Sequence, residues 1–308
     1  MDAPGSFSGT CIVTEQLDAV LARFGETTAK WTDETTLESM RAGLDGIFTE
    51  YPMAAKTRYW PATGAVPGEW VEVDGVAADQ VMLLIHGGGF SMGSARAHRS
   101  YASHLSAACG LRVLSIDYRL APEHMFPSAH EDCLTAWNEL LDDGVKPEKI
   151  VICGDSAGGG MALALSVKLR NMKAAQPACI VLVSPWADMT ASGQSYHDPE
   201  ILDPISSRDM ALGMAATYLG EADPSDPAAS PTHAKLHDLP AVIIVAGSRE
   251  VFLDDARSIE RSISAAGGKA ILKIWPNMIH QFPLHVSALD EAEAAIHEIG
   301  FFVTERIG

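Results

Sequence analysis

Basic residues are scarce. The chain of 308 residues carries 22 lysines and arginines against 40 acidic residues, a formal charge of −18. A nucleic-acid binder needs a basic patch to neutralise phosphates, and none is visible. The surplus of acid also argues against an anionic substrate or an anionic membrane as partner. Cysteines are few and odd in number: Cys11, Cys109, Cys133, Cys153 and Cys179, with no Cys-x-x-Cys pair. They read as reduced core thiols of a cytoplasmic protein. The opening residues Met1-Asp2-Ala3-Pro4-Gly5 lack the basic and apolar regions of a signal peptide, which also favours a cytoplasmic location. Long apolar runs are missing too: stretches such as 81–85 and 180–183 are far too short to span a bilayer. Aromatics are only 7% within a hydrophobic fraction of 47%, so one large and mainly aliphatic core is expected.

What is present is a rhythm. Two amphipathic helical patterns, 15–29 and 34–51, precede any strand signal. Short β-rich runs then appear at 57–60, 69–73, 81–85, 112–116, 150–153, 179–183, 242–245 and 270–274. The later runs are continuously apolar, which fits parallel strands buried on both faces. Helical segments such as 129–141, 157–172, 254–266 and 287–306 lie between or after them. Strand alternating with helix implies a doubly wound α/β sheet covered on both sides. One interval breaks the pattern. Residues 187–240 contain Asp-Pro four times and a single helical run near 208–218. An insertion of this length after a central strand usually carries function. The expected division is 1–52 as N-terminal cap helices, 187–240 as a cap insertion, and 53–186 with 241–308 as the core.

The sharpest chemical signal is Gly154-Asp155-Ser156-Ala157-Gly158. It follows one strand pattern and opens a helical one, the context a Gly-x-Ser-x-Gly nucleophile elbow requires. Such a turn lifts the Ser156 hydroxyl above the sheet, and the glycines keep strand and helix from colliding. A glycine-rich turn with Ser156 as helix N-cap is the plain alternative. A phosphate loop fails on chemistry, because no lysine follows Gly158-Gly159-Gly160.

A second cluster, His86-Gly87-Gly88-Gly89-Phe90, follows the strand pattern 81–85. Glycines let backbone N–H groups approach a ligand, and acyl transfer needs such donors where the carbonyl oxygen becomes negative. A dinucleotide loop is the rival, with Asp117 ending the next strand. Its glycine spacing fails at Met92 and Phe90. His86 reads as a structural residue that fixes the loop.

Together with Asp117-Tyr118-Arg119-Leu120-Ala121-Pro122-Glu123, Ser184-Pro185-Trp186-Ala187-Asp188 and Trp275-Pro276-Asn277-Met278-Ile279-His280, these motifs resemble the hormone-sensitive lipase-like family of bacterial esterases. The resemblance runs from about residue 59 to the C-terminus. It implies an α/β-hydrolase core with a mostly parallel eight-stranded sheet flanked by helices, a helical cap, and a serine–acid–histidine triad. It also implies backbone donors at Gly88, Gly89 and Ala157, no cofactor and no metal, and hydrolysis of short- to medium-chain acyl esters.

In that fold the triad runs in the chain order serine, acid, histidine. His280 and His285 both lie late enough to be the base. His280 matches the family position, whereas His285 reads better as a surface or supporting histidine. The acid belongs after strand 242–245, where Glu250, Asp254 and Asp255 follow. Most relatives carry Asp-Pro-Leu there, and a smaller branch carries glutamate. Glu250-Val251-Phe252 stands in that register, and one of Asp254 and Asp255 is expected to N-cap the following helix. Bulky residues near the motifs, Phe90, Trp186, Met210, Met214 and Phe282, are the expected walls of an acyl pocket. The partner expected is a small-molecule ester, together with a possible second copy of the chain across the edge strand 270–274. An amidase or deacetylase on the same triad, and a non-catalytic ligand receptor on the same fold, are the alternatives.

Overall fold

A strand apolar on both faces is stable only where both faces are covered. Residues 81–85 show this: Val81, Leu83 and Ile85 enter one hydrophobic core and Met82 and Leu84 the other, all with no exposure. The computed structural model describes residues 15–32 and 34–307. Its strands are β1 (Thr57–Pro61), β2 (Gly68–Val73), β3 (Ala77–Ile85), β4 (Leu111–Ile116), β5 (Ile150–Asp155), β6 (Cys179–Val183), β7 (Val242–Gly247) and β8 (Ala270–Trp275). They form one eight-stranded sheet in the order β1-β2-β4-β3-β5-β6-β7-β8. The β1–β2 and β2–β4 pairs are antiparallel, and from β4 to β8 every pair is parallel. β8 is a sheet edge, as the sequence pattern implied.

The helices are α1 (Glu15–Thr28), α2 (Leu37–Thr49), α3 (Arg99–Cys109), α4 (Ser128–Asp142), α5 (Ala157–Asn171), α6 (Arg208–Leu219), α7 (Leu253–Ala265) and α8 (Asp290–Thr304). Buried residues of α4, α5, α6 and α7 join the core on one sheet face. Those of α1, α2, α3 and α8 join the core on the other. The apolar stripe of α3, Tyr101, Ala102, Leu105 and Cys109, is interleaved with buried serines. Its buried face is rich in serine, and Ser103 and Ser106 use their hydroxyls to hold neighbouring backbone. The small residues also admit α8: a side chain at Gly300 would strike the carbonyl of Ala108.

Among the described residues the interval between β6 and β7 holds no strand. Its four Asp-Pro pairs are turns. Asp198, Asp203, Asp223 and Asp226 each accept the N–H two residues on, at 2.8–2.9 Å. The thiols of Cys109, Cys133, Cys153 and Cys179 are buried and unpaired with one another, while Cys11 lies outside the described residues.

Candidate active site

The β5 strand ends at Asp155, α5 begins at Ala157, and Ser156 is left at the junction with φ 51° and ψ −121°. That conformation is costly for a residue with a side chain and is maintained by its surroundings. Glycines are required on either side. A Cβ at Gly154 would meet the carbonyl of Gly158, and one at Gly158 would meet that of Ile85. The geometry is the elbow that the sequence motif implied, and Ser156 makes no N-cap hydrogen bond.

His280 comes from the loop after β8. Its Nε2 lies 2.9 Å from Ser156 Oγ, and its Nδ1 lies 3.0 Å from Glu250 Oε2. The three side chains are almost wholly buried, Glu250 completely so. Burial raises the Glu250 carboxyl above its ordinary value, against the hydrogen bond and charge of His280. Its other oxygen, Oε1, accepts the Ser184 hydroxyl at 3.0 Å and the Gly247 N–H. Ser184 also accepts the Gln281 N–H at 3.0 Å, so one hydroxyl ties the acid's loop to the histidine's loop.

Asp254 and Asp255 are elsewhere occupied, and neither is the N-cap that the sequence reading expected. Phe252 holds that place without a side-chain cap bond. Asp255 is buried and accepts the N–H groups of Ala187 and Asp188 and the Tyr196 hydroxyl, at 2.8–3.1 Å. Asp254 accepts the Ser195 N–H and pairs with Arg257. His285 is not a surface histidine. It is fully buried under α1 and α2, against Phe24 and Phe48, with Nδ1 2.8 Å from the Tyr51 hydroxyl. Burial, with the Arg23 charge, lowers it to about 3.

The glycine cluster forms a turn beside Ser156. Gly88 and Gly89 have φ of 114° and 60°, and the N–H groups of Ser91 and Met92 close the turn on the Gly88 carbonyl. The Gly87 N–H is spent on Asp155 at 3.0 Å. His86 is buried and lowered to about 3, by desolvation and by the neighbouring His98. Its ring lies on Tyr118 at 4.2 Å and its Nδ1 donates to the Gly87 carbonyl. It therefore braces the loop. Asp117 likewise accepts the Ala95 N–H, a structural use.

A cavity of about 140 Å³ opens over Ser156, His280, Gly88 and Gly89. Trp186, Met210 and Met214 line it, as the sequence reading expected. Phe90 and Phe282 do not, and this corrects that reading. Phe90 turns away into the core, stacked on Tyr218 at 4.0 Å. Phe282 packs on Trp275 in the core of the opposite sheet face.

The remaining walls were not foreseen. Phe24, Thr28 and Leu44 come from the N-terminal helices and Trp31 from the segment between them, and Phe252 lies 4.7 Å from the His280 ring. Arg41 of α2 was also missed. It donates to the carbonyls of Ser91 and Ala121 and makes a paired contact with Glu123, all at 2.7–2.9 Å. An isolated arginine on a helical face gives no sign in sequence of which distant carbonyls it will reach.

The sheet order and the strand–elbow–helix arrangement define an α/β hydrolase. A model of the alpha/beta hydrolase fold family matches residues 82–284. An acetyl-hydrolase of Streptomyces hygroscopicus is 36% identical over 254 residues, covering 80% of this chain and 85% of that protein. An esterase of Acinetobacter venetianus is 31% identical, covering 86% and 88%. A crystal structure of an esterase from the bacterial hormone-sensitive lipase family superposes with a TM-score of 0.92 at 38% identity, covering 96% of this chain and 99% of that one. The chain belongs to the alpha/beta hydrolase fold family, among its hormone-sensitive lipase-like esterases.

Proposed function

We propose that this esterase hydrolyses short- to medium-chain acyl esters through Ser156, His280 and Glu250, by way of a covalent acyl-enzyme. The observation that carries the reading is the buried chain of contacts from Ser156 Oγ through the imidazole to Glu250. His280 Nε2 takes the Ser156 proton as Oγ attacks the ester carbonyl, then returns it to the leaving alcohol. A water, deprotonated by the same nitrogen, attacks the acyl-enzyme and frees the acid. The N–H groups of Gly88, Gly89 and Ala157 meet the negative oxygen in both steps. Positive φ at Gly88 and Gly89 turns this backbone into the cavity without a Cβ in the way.

The short-chain preference rests on a cavity of about 140 Å³, small against the ~300–1,000 Å³ of ordinary ligand pockets. The name of the Streptomyces relative, an acetyl-hydrolase, agrees with a small acyl group. We assign residues 1–52 and 187–240 to a cap, because the described parts of both supply walls of this cavity. A homodimer across β8 is part of the proposal: Ile271 and Ile274 stand exposed on that edge strand, and Phe301 of α8 is exposed as well. Turnover of p-nitrophenyl butyrate by wild type, abolished in Ser156→Ala with the circular dichroism unchanged, tests the reading. Activity within tenfold of wild type would remove Ser156 from it.

A further inference from the structure

A second cavity, about 660 Å³, lies between the start of α4, the C-terminal half of α5 and the insertion segment 227–237. It shares no lining residue with the cavity over Ser156. Its volume falls in the ~300–1,000 Å³ range of small-molecule sites. Part of its wall is apolar, from Phe126, Met161 and Leu165.

The charge on this wall is unlike the rest of the molecule. Acids outnumber bases 40 to 22 in the chain, yet no aspartate or glutamate lines this cavity, while Lys168, Arg170 and Lys235 do. Each of the other cavities described away from Ser156 has both signs on its walls. Among the described residues, no carboxylate pairs with Lys168 or Lys235. The acids nearby have other partners: Asp188 faces His233, Asp238 faces His237, and Asp226, whose charge reaches His130 on the cavity wall, accepts the Ala228 N–H. Arg170 spends hydrogen bonds on the carbonyls of Lys235 and His237, which fastens two walls together and keeps its charge in place. Cations without a paired carboxylate, beside an apolar surface, attract an anion that also carries a hydrocarbon chain. The overall charge of −18 argues against anions in general, but this local field opposes it.

We propose that this cavity is a second ligand site, built for a single-chain amphipathic carboxylate whose head group meets Lys168 and Lys235 and whose chain lies on Met161 and Leu165. The inference rests on this cavity alone and does not depend on the hydrolytic assignment, although hydrolysis of an acyl ester would release such a molecule.

The test is calorimetric titration of octanoate into full-length protein whose Ser156 has been sulfonylated with phenylmethylsulfonyl fluoride, so that the catalytic cavity is closed. Saturable binding with a stoichiometry of one is expected, weakened by added salt. Octanol should bind at least about tenfold more weakly, each tenfold being ~1.4 kcal/mol of lost ion pairing. The double variant Lys168→Glu/Lys235→Glu should lower octanoate affinity at least tenfold, while Lys146→Glu/Lys269→Glu, with the same change in net charge elsewhere, leaves it within twofold. All four side chains are exposed, and an unchanged melting temperature confirms that each variant folds. No saturable binding, equal affinity for octanol, or equal losses in the two double variants would overturn the proposal.

Discussion

Replacing Glu250 by glutamine swaps one oxygen for an NH₂, and the surrounding donors dictate which one. Oε1 accepts from the Gly247 backbone N–H and the Ser184 hydroxyl. The backbone N–H cannot turn away, so the amide oxygen must stay on that side. The NH₂ then faces His280 Nδ1, 3.0 Å away in the wild type, and makes that nitrogen an acceptor. The imidazole proton moves to Nε2, the atom that must receive the Ser156 proton. The base is held in the wrong tautomer with its geometry intact. The equivalent acid-to-amide change in a serine protease triad costs about 10⁴ in kcat. A loss of roughly 10³–10⁴ is therefore expected here, about 4–5.5 kcal/mol of transition-state stabilisation. Stability should change little, since the amide keeps each hydrogen bond and removes a buried charge. Glu250→Ala, by contrast, strands the Gly247 N–H, at about 1–3 kcal/mol. Steady-state turnover of p-nitrophenyl butyrate, a thermal melt and ¹⁵N shifts of the His280 ring are the assays. A folded Glu250→Gln enzyme within tenfold of wild type, or one that still carries its proton on Nδ1, would refute the reasoning.

Acid should destabilise the fold before it protonates most carboxylates. Burial lowers His86 and His285 to about 3 and His130 to about 4, whereas unfolded histidine takes up a proton near 6.5. Between those values the unfolded chain binds more protons, so stability present above 6.5 is lost as pH falls toward 3–4, by up to ~1.4 kcal/mol per pH unit for each histidine. His285→Gln should make the loss shallower; a melting temperature flat from pH 7 to pH 5 would contradict this. Met214 sits against the Gly88-Gly89 turn. Acyl preference should peak near four to eight carbons in wild type, and Met214→Ala should move it toward longer chains within the small-pocket regime. A wild-type peak near sixteen carbons, about twice that length, would overturn the cavity argument. Light scattering at micromolar concentration should show a dimer, and Ile274→Glu/Phe301→Glu a monomer; a monomeric wild type ends that proposal.

The central part of the fold was legible because its signals are local. The apolar runs that became β3 to β7 need both faces covered, whatever their neighbours, and the Gly154–Gly158 motif encodes a turn within five residues. That Ser156, Glu250 and His280 lie within hydrogen-bonding reach of one another was legible because motif order fixes which loop each occupies. What escaped depends on contacts between distant segments. The apolar positions of α3, Tyr101, Leu105 and Cys109, are interleaved with buried serines, which dilutes their stripe in sequence. Phe90 adjoins a glycine that faces the cavity, yet the next backbone torsion sends its ring into the core. Asp255 looked like a helix cap because its partners, the Ala187 and Asp188 N–H groups, lie about 70 residues away. His285 looked peripheral because what buries it, Phe24 and Phe48, comes from the other end of the chain.

Rapid mixing of enzyme with excess p-nitrophenyl butyrate, followed by acid quench and peptide mass spectrometry, tests the acyl-enzyme directly. An early release of nitrophenol, with a butyryl group found on the peptide at Ser156 and absent in Ser156→Ala, is the predicted result. Hydrolysis that continues in Ser156→Ala at a comparable rate, or an acyl group trapped on another side chain, would contradict the account.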